Sequence, residues 1–298
     1  MAKPFVNPFV SGQFLELRVD ALVSDGRGLG RHDGVVVLVE DALPGQLVRA
    51  RVAAVRKSLA EAALVEVLER SPDEQEPPCP HAGRCGGCSW QSLAYGRQLA
   101  WKERIVHDAL ERVGKVACPP MLPILPSPSE WGYRNKMEFA FGVSGDGGKA
   151  LGLRERGSRN IVEVTGCLLQ TPLTMRVLEA VRMLSNGAFH DLDGRFLVVR
   201  EPNAGGCFVE LIVGAGGSLE AGERFAEALR AETPEVTGFA LSERLAPSDV
   251  AYGERALYAD GRLEERIGDV RLQMGHNAFF QVNTPAAELL YAEAARFA

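Results

Sequence analysis

The sequence predicts a multi-domain protein in which an OB-like β-barrel precedes an α+β domain with a metal site. Three observations lead to this class. Short apolar runs separated by glycine turns fill residues 14–68. A proline- and acid-rich stretch at 71–78 then marks a domain boundary. A cysteine cluster follows at once, and helical and strand-like patterns alternate beyond it.

The first domain is predicted to be a small closed barrel. Residues 1–12 hold two prolines and show no periodicity, so we expect a loose arm there. Residues 13–71 contain four strand-like runs, with glycine turns between them, at 14–19, 34–39, 47–52 and 63–68. Several short strands in so few residues are typical of the OB type of barrel.

The second domain is predicted to be α+β and to cover residues 79–276. Apolar residues recur at helical spacing over 92–114, and Gly114 stands where a C-cap glycine belongs. Two further helices are expected at 172–184 and 221–231, between strands of an antiparallel sheet.

Residues 277–298 are expected to begin another domain. Thr284 and Pro285 suit the N-cap and the first position of a helix that runs to the end of the sequence. The apolar face of that helix has no obvious partner in the sequence.

Composition limits the class of protein. No apolar run is long enough to span a bilayer, and the N-terminus lacks the apolar run of a signal peptide. We therefore expect a cytoplasmic protein with reduced thiols and no membrane association.

The net charge of −6 argues mildly against a simple nucleic-acid binder, but the charge is unevenly spread. Residues 131–159 hold six basic and three acidic side chains, whereas 201–269 hold six and fourteen. This fits a protein that binds a polyanion with one face, although ordinary surface variation would explain it equally well.

The strongest chemical signal is the spacing Cys79-x5-Cys85-x2-Cys88. Three thiolates this close can ligate one compact inorganic site, and the second Cys-x2-Cys pair of a zinc ribbon is missing. Closely spaced cysteines plus one remote cysteine favour an iron–sulfur cluster over zinc. Spacing alone leaves the fourth ligand open among the remaining cysteines, which are Cys118, Cys167 and Cys207.

Five motifs in order then resemble the iron–sulfur RNA 5-methyluridine methyltransferases, in particular their bacterial 23S ribosomal-RNA branch. The cysteine motif with its following helix is one of them. The others are the N-terminal β segment, which resembles a TRAM domain, Tyr133-Arg134-Asn135-Lys136, Gly166-Cys167-Leu168-Leu169-Gln170 and Phe279-Phe280-Gln281-Val282-Asn283. They are spread over nearly the whole chain.

The resemblance implies a cofactor, a substrate and roles for individual residues. Cys167 would complete a [4Fe–4S] cluster with Cys79, Cys85 and Cys88. Gln281 would reach towards S-adenosylmethionine and the base pocket, and Phe279 would flank a flipped uracil. A catalytic cysteine would add to C6 of the base, the methyl group would go to C5, and a carboxylate would remove the C5 proton.

Basic side chains are candidates for phosphate contacts. Arg134 and Lys136 alternate near the start of a strand and so share a face. Arg154, Arg156 and Arg159 are similar candidates, because phosphate contacts tolerate many positions. A solvated strand edge explains these positions as well.

The sequence departs from the family's pattern after its final helix. The cofactor loop, the catalytic cysteine and the base are not found in it, so the fold is expected to include only the start of a Rossmann-like methyltransferase domain. Helix 92–114 would pack on that domain. The chain alone is expected to be inactive and monomeric, with ribosomal RNA as partner. The alternatives are a stand-alone RNA-binding iron–sulfur protein and a zinc-binding module.

Overall fold

The computed structural model describes residues 7–145, 147–214, 217–247 and 249–298. The chain divides into two compact units. The first unit comprises residues 1–83 and 88–126, and the second comprises 84–87 and 127–298. Half of the predicted N-terminal arm, residues 1–6, lies outside the described residues.

The first unit contains a closed five-stranded barrel in the order β1-β2-β3-β5-β4. Its strands are β1 (Phe14–Leu22), β2 (Gly28–His32), β3 (Val35–Glu40), β4 (Leu47–Val55) and β5 (Leu59–Glu69). β3 and β5 pair in parallel and the other pairs are antiparallel. Over residues 14–20 of β1 every second side chain is buried, so the alternation in the sequence directs Leu15, Leu17 and Val19 into the barrel core.

The helix of the first unit ends differently from the prediction. α1 (Tyr95–Asp108) continues into a π-helical turn (Ala109–Val113). The N–H of Gly114 donates to the carbonyl of Ala109, and Gly114 keeps a right-handed φ of −73°. The left-handed φ of +51° falls on Lys115 instead. The π-turn adds one residue to the last turn and so moves the termination by one position.

The second unit is built on a seven-stranded sheet in the order β12-β11-β10-β9-β6-β7-β8. Its strands are β6 (Lys136–Val143), β7 (Lys149–Arg154), β8 (Ile161–Val162), β9 (Gly194–Arg200), β10 (Cys207–Val213), β11 (Val236–Glu243) and β12 (Arg255–Asp260). β10 and β11 are parallel, so the expectation of an antiparallel sheet is wrong. The reason is α3 (Leu219–Glu232), which joins the two strands as a crossover helix.

Two helices cover one face of this sheet. α2 (Pro172–Asn186) begins at Thr171, whose hydroxyl accepts from the N–H of Thr174 with Pro172 in the first turn. α3 is capped in the same way by Ser218. The core beneath them includes Phe225 and Phe239, both fully buried, with ring centroids 5.5 Å apart.

The last elements belong to the second unit. A hairpin of β13 (Leu263–Ile267) and β14 (Val270–Met274) precedes α4 (Thr284–Phe297). Thr284 and Ala287 are the buried residues of α4, and Asn283 caps the helix in place of the predicted Thr284. Residues 277–298, expected to begin a Rossmann-like domain, group with the second unit, in which α4 contacts β13. None of the helices in the described ranges is long and apolar enough to cross a bilayer.

A carboxylate at the edge of this sheet links stability to pH. Burial would raise the pKa of Asp260, but hydrogen bonds from Arg230 and Tyr258 outweigh burial and hold the pKa below its usual range. A lowered pKa contributes stability that is present above the unfolded-state pKa of about 3.9 and is lost as pH falls through the folded-state value.

Asp260→Asn is therefore expected to cost about 1.5–3 kcal/mol at neutral pH, the range for hydrogen bonds to a charged group. The difference from wild type should shrink below about pH 3. Urea unfolding at both pH values measures it, with Asp193→Asn as control because the Arg195–Asp193 pair is exposed. Equal costs at the two pH values would contradict the assignment.

Candidate functional site

The structure brings three of the sequence motifs together in the second unit. The main-chain N–H of Arg134 donates to the carbonyl of Leu169, at 3.0 Å, in the motif that contains Cys167. The N–H of Asn135 donates to the carbonyl of Val282, at 2.8 Å, and Arg134 forms a β-bridge with Asn283. Segments far apart in the sequence therefore meet at the start of β6.

Gln281 and Phe279 lie on the segment that meets Asn135. The carbonyl of Gln281 accepts from Nδ2 of Asn135 at 3.0 Å, whereas its half-buried side chain makes no hydrogen bond to the described residues. The side chain of Phe279 is 84% exposed. A large aromatic ring held in solvent and an amide with unused donors and acceptors can contact a base by stacking and by hydrogen bonds.

Sequence reasoning named the two basic residues of the Tyr133–Lys136 motif, Arg134 and Lys136, and missed Asn135 between them. The Asn135 amide also donates to Oγ1 of Thr284 at 2.8 Å and to Oε2 of Glu265 at 3.2 Å. Glu265 is buried, and burial raises its pKa against the opposing hydrogen bonds from Asn203 and Arg266. The signal available in the sequence was the motif itself, because the partners lie more than 100 residues away.

Two buried charges under the same segment were also missed. Arg200 donates from Nη2 to the carbonyl of Ala278 at 2.6 Å, and burial lowers its pKa although Glu210 opposes that shift. Oε1 of the buried Glu210 lies 3.7 Å from Nε2 of His276. Both charged residues occur within strongly apolar strands, where the sequence pattern predicts core side chains.

The four basic candidates are engaged in local contacts. The guanidinium of Arg134 donates to the carbonyl of Lys136, and Lys136 pairs with Glu138. Arg154 donates to the carbonyl of Arg159 at 2.7 Å and lies 3.3 Å from Asp249. Arg156 is half-buried. These four assignments stay predictions.

Residues 84–87 extend the edge of the sheet beside these arginines. The N–H of Gly86 donates to the carbonyl of Arg154 at 2.9 Å, and the N–H of Arg156 donates to the carbonyl of Arg84 at 2.8 Å. Cys85 therefore lies opposite Glu155 in a β-bridge. The cysteine motif thus contributes an isolated β-bridge to the second unit.

The candidate metal ligands are half-buried, reduced cysteines. Cys85 and Cys167 both lie at the margin of the core of the second unit, and Cys79 and Cys88 belong to the first. Their chemistry fits an iron–sulfur cluster. However, no three His, Cys, Asp or Glu side chains of the described ranges are arranged to hold a metal, so the described side-chain positions do not assemble its ligands.

The remaining cysteines differ in character. Cys207 is fully buried in the sheet core, and burial raises the pKa of its thiol to about 12. Such a thiol is neither a ready nucleophile nor a ready metal ligand at neutral pH. Cys118 is half-buried. Trp90, two residues after Cys88, donates to the carbonyl of Gly26 at 3.0 Å and packs beside Leu93.

Comparisons with known proteins agree with this architecture. Residues 8–65 match the family model of the TRAM domain. An uncharacterized RNA methyltransferase of Nitratidesulfovibrio vulgaris is 45% identical over 97% of this chain and 64% of its own length. Another, from Caldanaerobacter subterraneus, is 31% identical over 98% of this chain and 67% of its own length. The chain therefore spans about two thirds of the length of these relatives.

A solved structure shares the fold. The tRNA (uracil-54, C5)-methyltransferase of Pyrococcus abyssi, determined with S-adenosyl-L-homocysteine, superimposes with a TM-score of 0.69 at 23% identity. The match covers 94% of this chain and 64% of that one. Since it includes nearly all of both units, it also overturns the predicted fold class, in which the methyltransferase fold was confined to residues 277–298.

Proposed function

Because this chain belongs to the family of these RNA methyltransferases, we propose that it recognises RNA for S-adenosylmethionine-dependent methylation of uracil at C5. The observation that carries the proposal is the junction of residues 133–136 with residues 276–284. There, Phe279 is exposed to solvent, the side chain of Gln281 makes no hydrogen bond to the described residues, and both stand on a segment bonded to the sheet.

Each side chain has a distinct role in the proposal. Phe279 stacks on the target base or its neighbour, an interaction that every base can make through its π-face. Gln281 hydrogen-bonds at the pocket shared by the base and S-adenosylmethionine. None of the positions carried over from the family is a catalytic cysteine, so the role proposed for these residues is recognition rather than bond formation.

The basic side chains supply contacts to the RNA backbone in this proposal. The Lys136–Glu138 and Arg154–Asp249 pairs are partly exposed, so each is worth at most about 1 kcal/mol. A phosphate can therefore replace the carboxylate at little cost. Arg134 and Arg156 complete the set, and the TRAM barrel provides a second RNA-binding surface.

The resemblance to the ribosomal branch favours 23S ribosomal RNA as the substrate. The protein is proposed to be monomeric and cytoplasmic. The solved relative bears the name of a transfer-RNA enzyme, so both RNA classes belong in the test. The domain limits proposed are 13–71 for the TRAM barrel and 79–276 for the central domain.

We also propose that Cys79, Cys85, Cys88 and Cys167 ligate a [4Fe–4S] cluster. The support is the Cys-x5-Cys-x2-Cys spacing with one remote cysteine, and the family resemblance of both motifs. No step of RNA recognition is routed through the cluster.

The RNA-binding proposal is tested by substituting its central aromatic. Phe279→Ala is expected to weaken the binding of uridine-containing 23S ribosomal-RNA fragments or transfer RNA about tenfold, which is within the range for losing one base stack. Fluorescence anisotropy measures the affinity.

Phe297→Ala is the matched control, because that ring is 73% exposed on α4 of the same unit. We expect it to change the affinity less than about twofold. If the two variants bind both RNA classes as wild type does, Phe279 has no role in RNA binding. Preferential weakening with one class identifies the substrate.

A further inference from the structure

Residues 276–284, here called the clamped segment, are fixed to the sheet unit at both ends. At the first end, Nη2 of Arg200 donates to the carbonyl of Ala278 at 2.6 Å, and Nδ2 of Asn277 donates to the carbonyl of Gly253 at 3.0 Å. At the second end, the contacts converge on Asn135. Phe279 lies between the two ends and projects into solvent.

Asn135 engages the second end with both its main chain and its side chain. The main-chain N–H donates to the carbonyl of Val282 at 2.8 Å. The side-chain amide lies 3.0 Å from the carbonyl of Gln281 and 2.8 Å from Oγ1 of Thr284. One residue therefore fixes two consecutive carbonyls and the first residue of α4.

The other side of Asn135 is fixed as well. Oε2 of Glu265, in β13, lies 3.2 Å from Nδ2, and the carbonyl of Asn135 accepts from the N–H of Glu201 at 2.8 Å. Through its side-chain amide and its main chain, Asn135 thus ties the clamped segment to the start of β6, to the residue after β9 and to β13. β6 and β9 contribute to the core of the second unit, so the segment is bonded to well-packed elements.

Few side chains meet this chemistry. An amide nitrogen has two hydrogens, which are shared here among three acceptors. An aspartate would offer only acceptors and would oppose the buried Glu265. An alanine would leave half-buried acceptors without a donor, which destabilises the local structure.

We propose that Asn135 is the positioning residue that holds Phe279 and Gln281 in the orientation in which they meet RNA. The inference rests on the proposed function. Asn135 itself is half-buried and bonded within the protein, so it acts through the clamped segment. Ordering the segment before binding lowers the entropy cost of association, because flexible side chains and loops otherwise lose freedom in the complex.

The first measurement follows the segment itself. In the full chain, Asn135→Ala is expected to speed hydrogen exchange of the amides of residues 278–284, since local opening becomes easier. Asn160→Ala is the matched control, because Asn160 is exposed and its side-chain amide donates to a single partner among the described residues, Glu155. If Asn135→Ala does not fold, Thr284→Val takes its place. This change removes one partner of the amide while retaining Asn135, and it should give a smaller increase in the exchange rate.

The second measurement is a double-mutant cycle on the affinity for a uridine-containing oligonucleotide. Asn135→Ala is expected to weaken binding about fivefold, the cost of ordering one or two further side chains on association. In the Phe279→Ala background the same change should cost less than about twofold, because residues that act through one another are not additive. A merely structural role would give the same loss in both backgrounds.

The outcomes separate the inference from the function on which it rests. Unchanged exchange in residues 278–284, or equal losses in both backgrounds, would overturn the positioning role of Asn135. If Asn135→Ala speeds exchange but Phe279→Ala leaves the RNA affinity unchanged, Phe279 has no role in RNA binding. Asn135 would then fix the clamped segment without positioning an RNA contact.

Discussion

Replacing Cys88 with serine is expected to reduce the iron bound by the anaerobically purified protein from about four atoms per chain to nearly none. Cubane clusters are held by thiolates, and a serine hydroxyl remains protonated where a cysteine ionises. Cys88 is half-buried and reduced, which suits a cluster ligand. Iron and acid-labile sulfide analysis, with visible absorbance, measures the loss.

Cys118→Ser is the matched control for this experiment. Cys118 is also half-buried and reduced, but it lies outside the resemblance motifs, so its replacement should leave the iron content unchanged. Cys207 serves as an internal reference, since its thiol, with a pKa of about 12, should resist alkylation in the folded protein. Zinc without iron in the wild type would contradict the cluster and favour the zinc-binding alternative.

Phe239→Ala is expected to destabilise the second unit by about 3–5 kcal/mol, the usual cost of truncating a buried phenylalanine to alanine. The ring is fully buried on β11 and lies against the rings of Phe225 and Tyr258, at centroid distances of 5.5 and 6.3 Å. Its removal leaves a cavity between the sheet and α3. Urea unfolding, monitored by hydrogen exchange of the amides in each unit, measures the stability of the two units separately.

Phe279→Ala is the control, because the chemical change is the same while the ring is 84% exposed. We expect it to change stability by no more than about 0.5 kcal/mol. The two substitutions should therefore affect different properties: Phe239→Ala lowers stability, and Phe279→Ala lowers RNA affinity. A cost below about 1 kcal/mol for Phe239→Ala would contradict the packing described here.

Part of the fold could be predicted because it depends on local pattern. The alternation of Leu15, Leu17 and Val19 indicates a half-buried strand wherever it pairs. Thr171 followed by Pro172 marks the start of α2, and the predicted helix 172–184 agrees with the observed Pro172–Asn186. Signals of this kind depend only on neighbouring residues, so they can be read from the sequence without knowledge of the tertiary arrangement.

The candidate site depended on contacts between distant segments. Asn135 lies 130 residues from Glu265 and 149 from Thr284, so periodicity and spacing contain no trace of their hydrogen bonds. Arg200 and Glu210 lie among apolar residues on β9 and β10, and only pairing of the strands shows that the two charges compensate each other. Sequence reasoning therefore found the exposed Phe279 and its motif but not the residues that hold it.

The sequence by itself determined four of the five barrel strands, the start of α2 and the cysteine spacing, because each of these is set by residues within one or two turns of chain. Tertiary structure alone decided that β10 and β11 run in parallel, that α4 packs with the sheet unit, and that Asn135 joins β6 to the segment carrying Phe279. The physical reason is the same in each case. Periodicity shows which side chains avoid water, whereas strand order and buried polar partners depend on which distant surfaces meet.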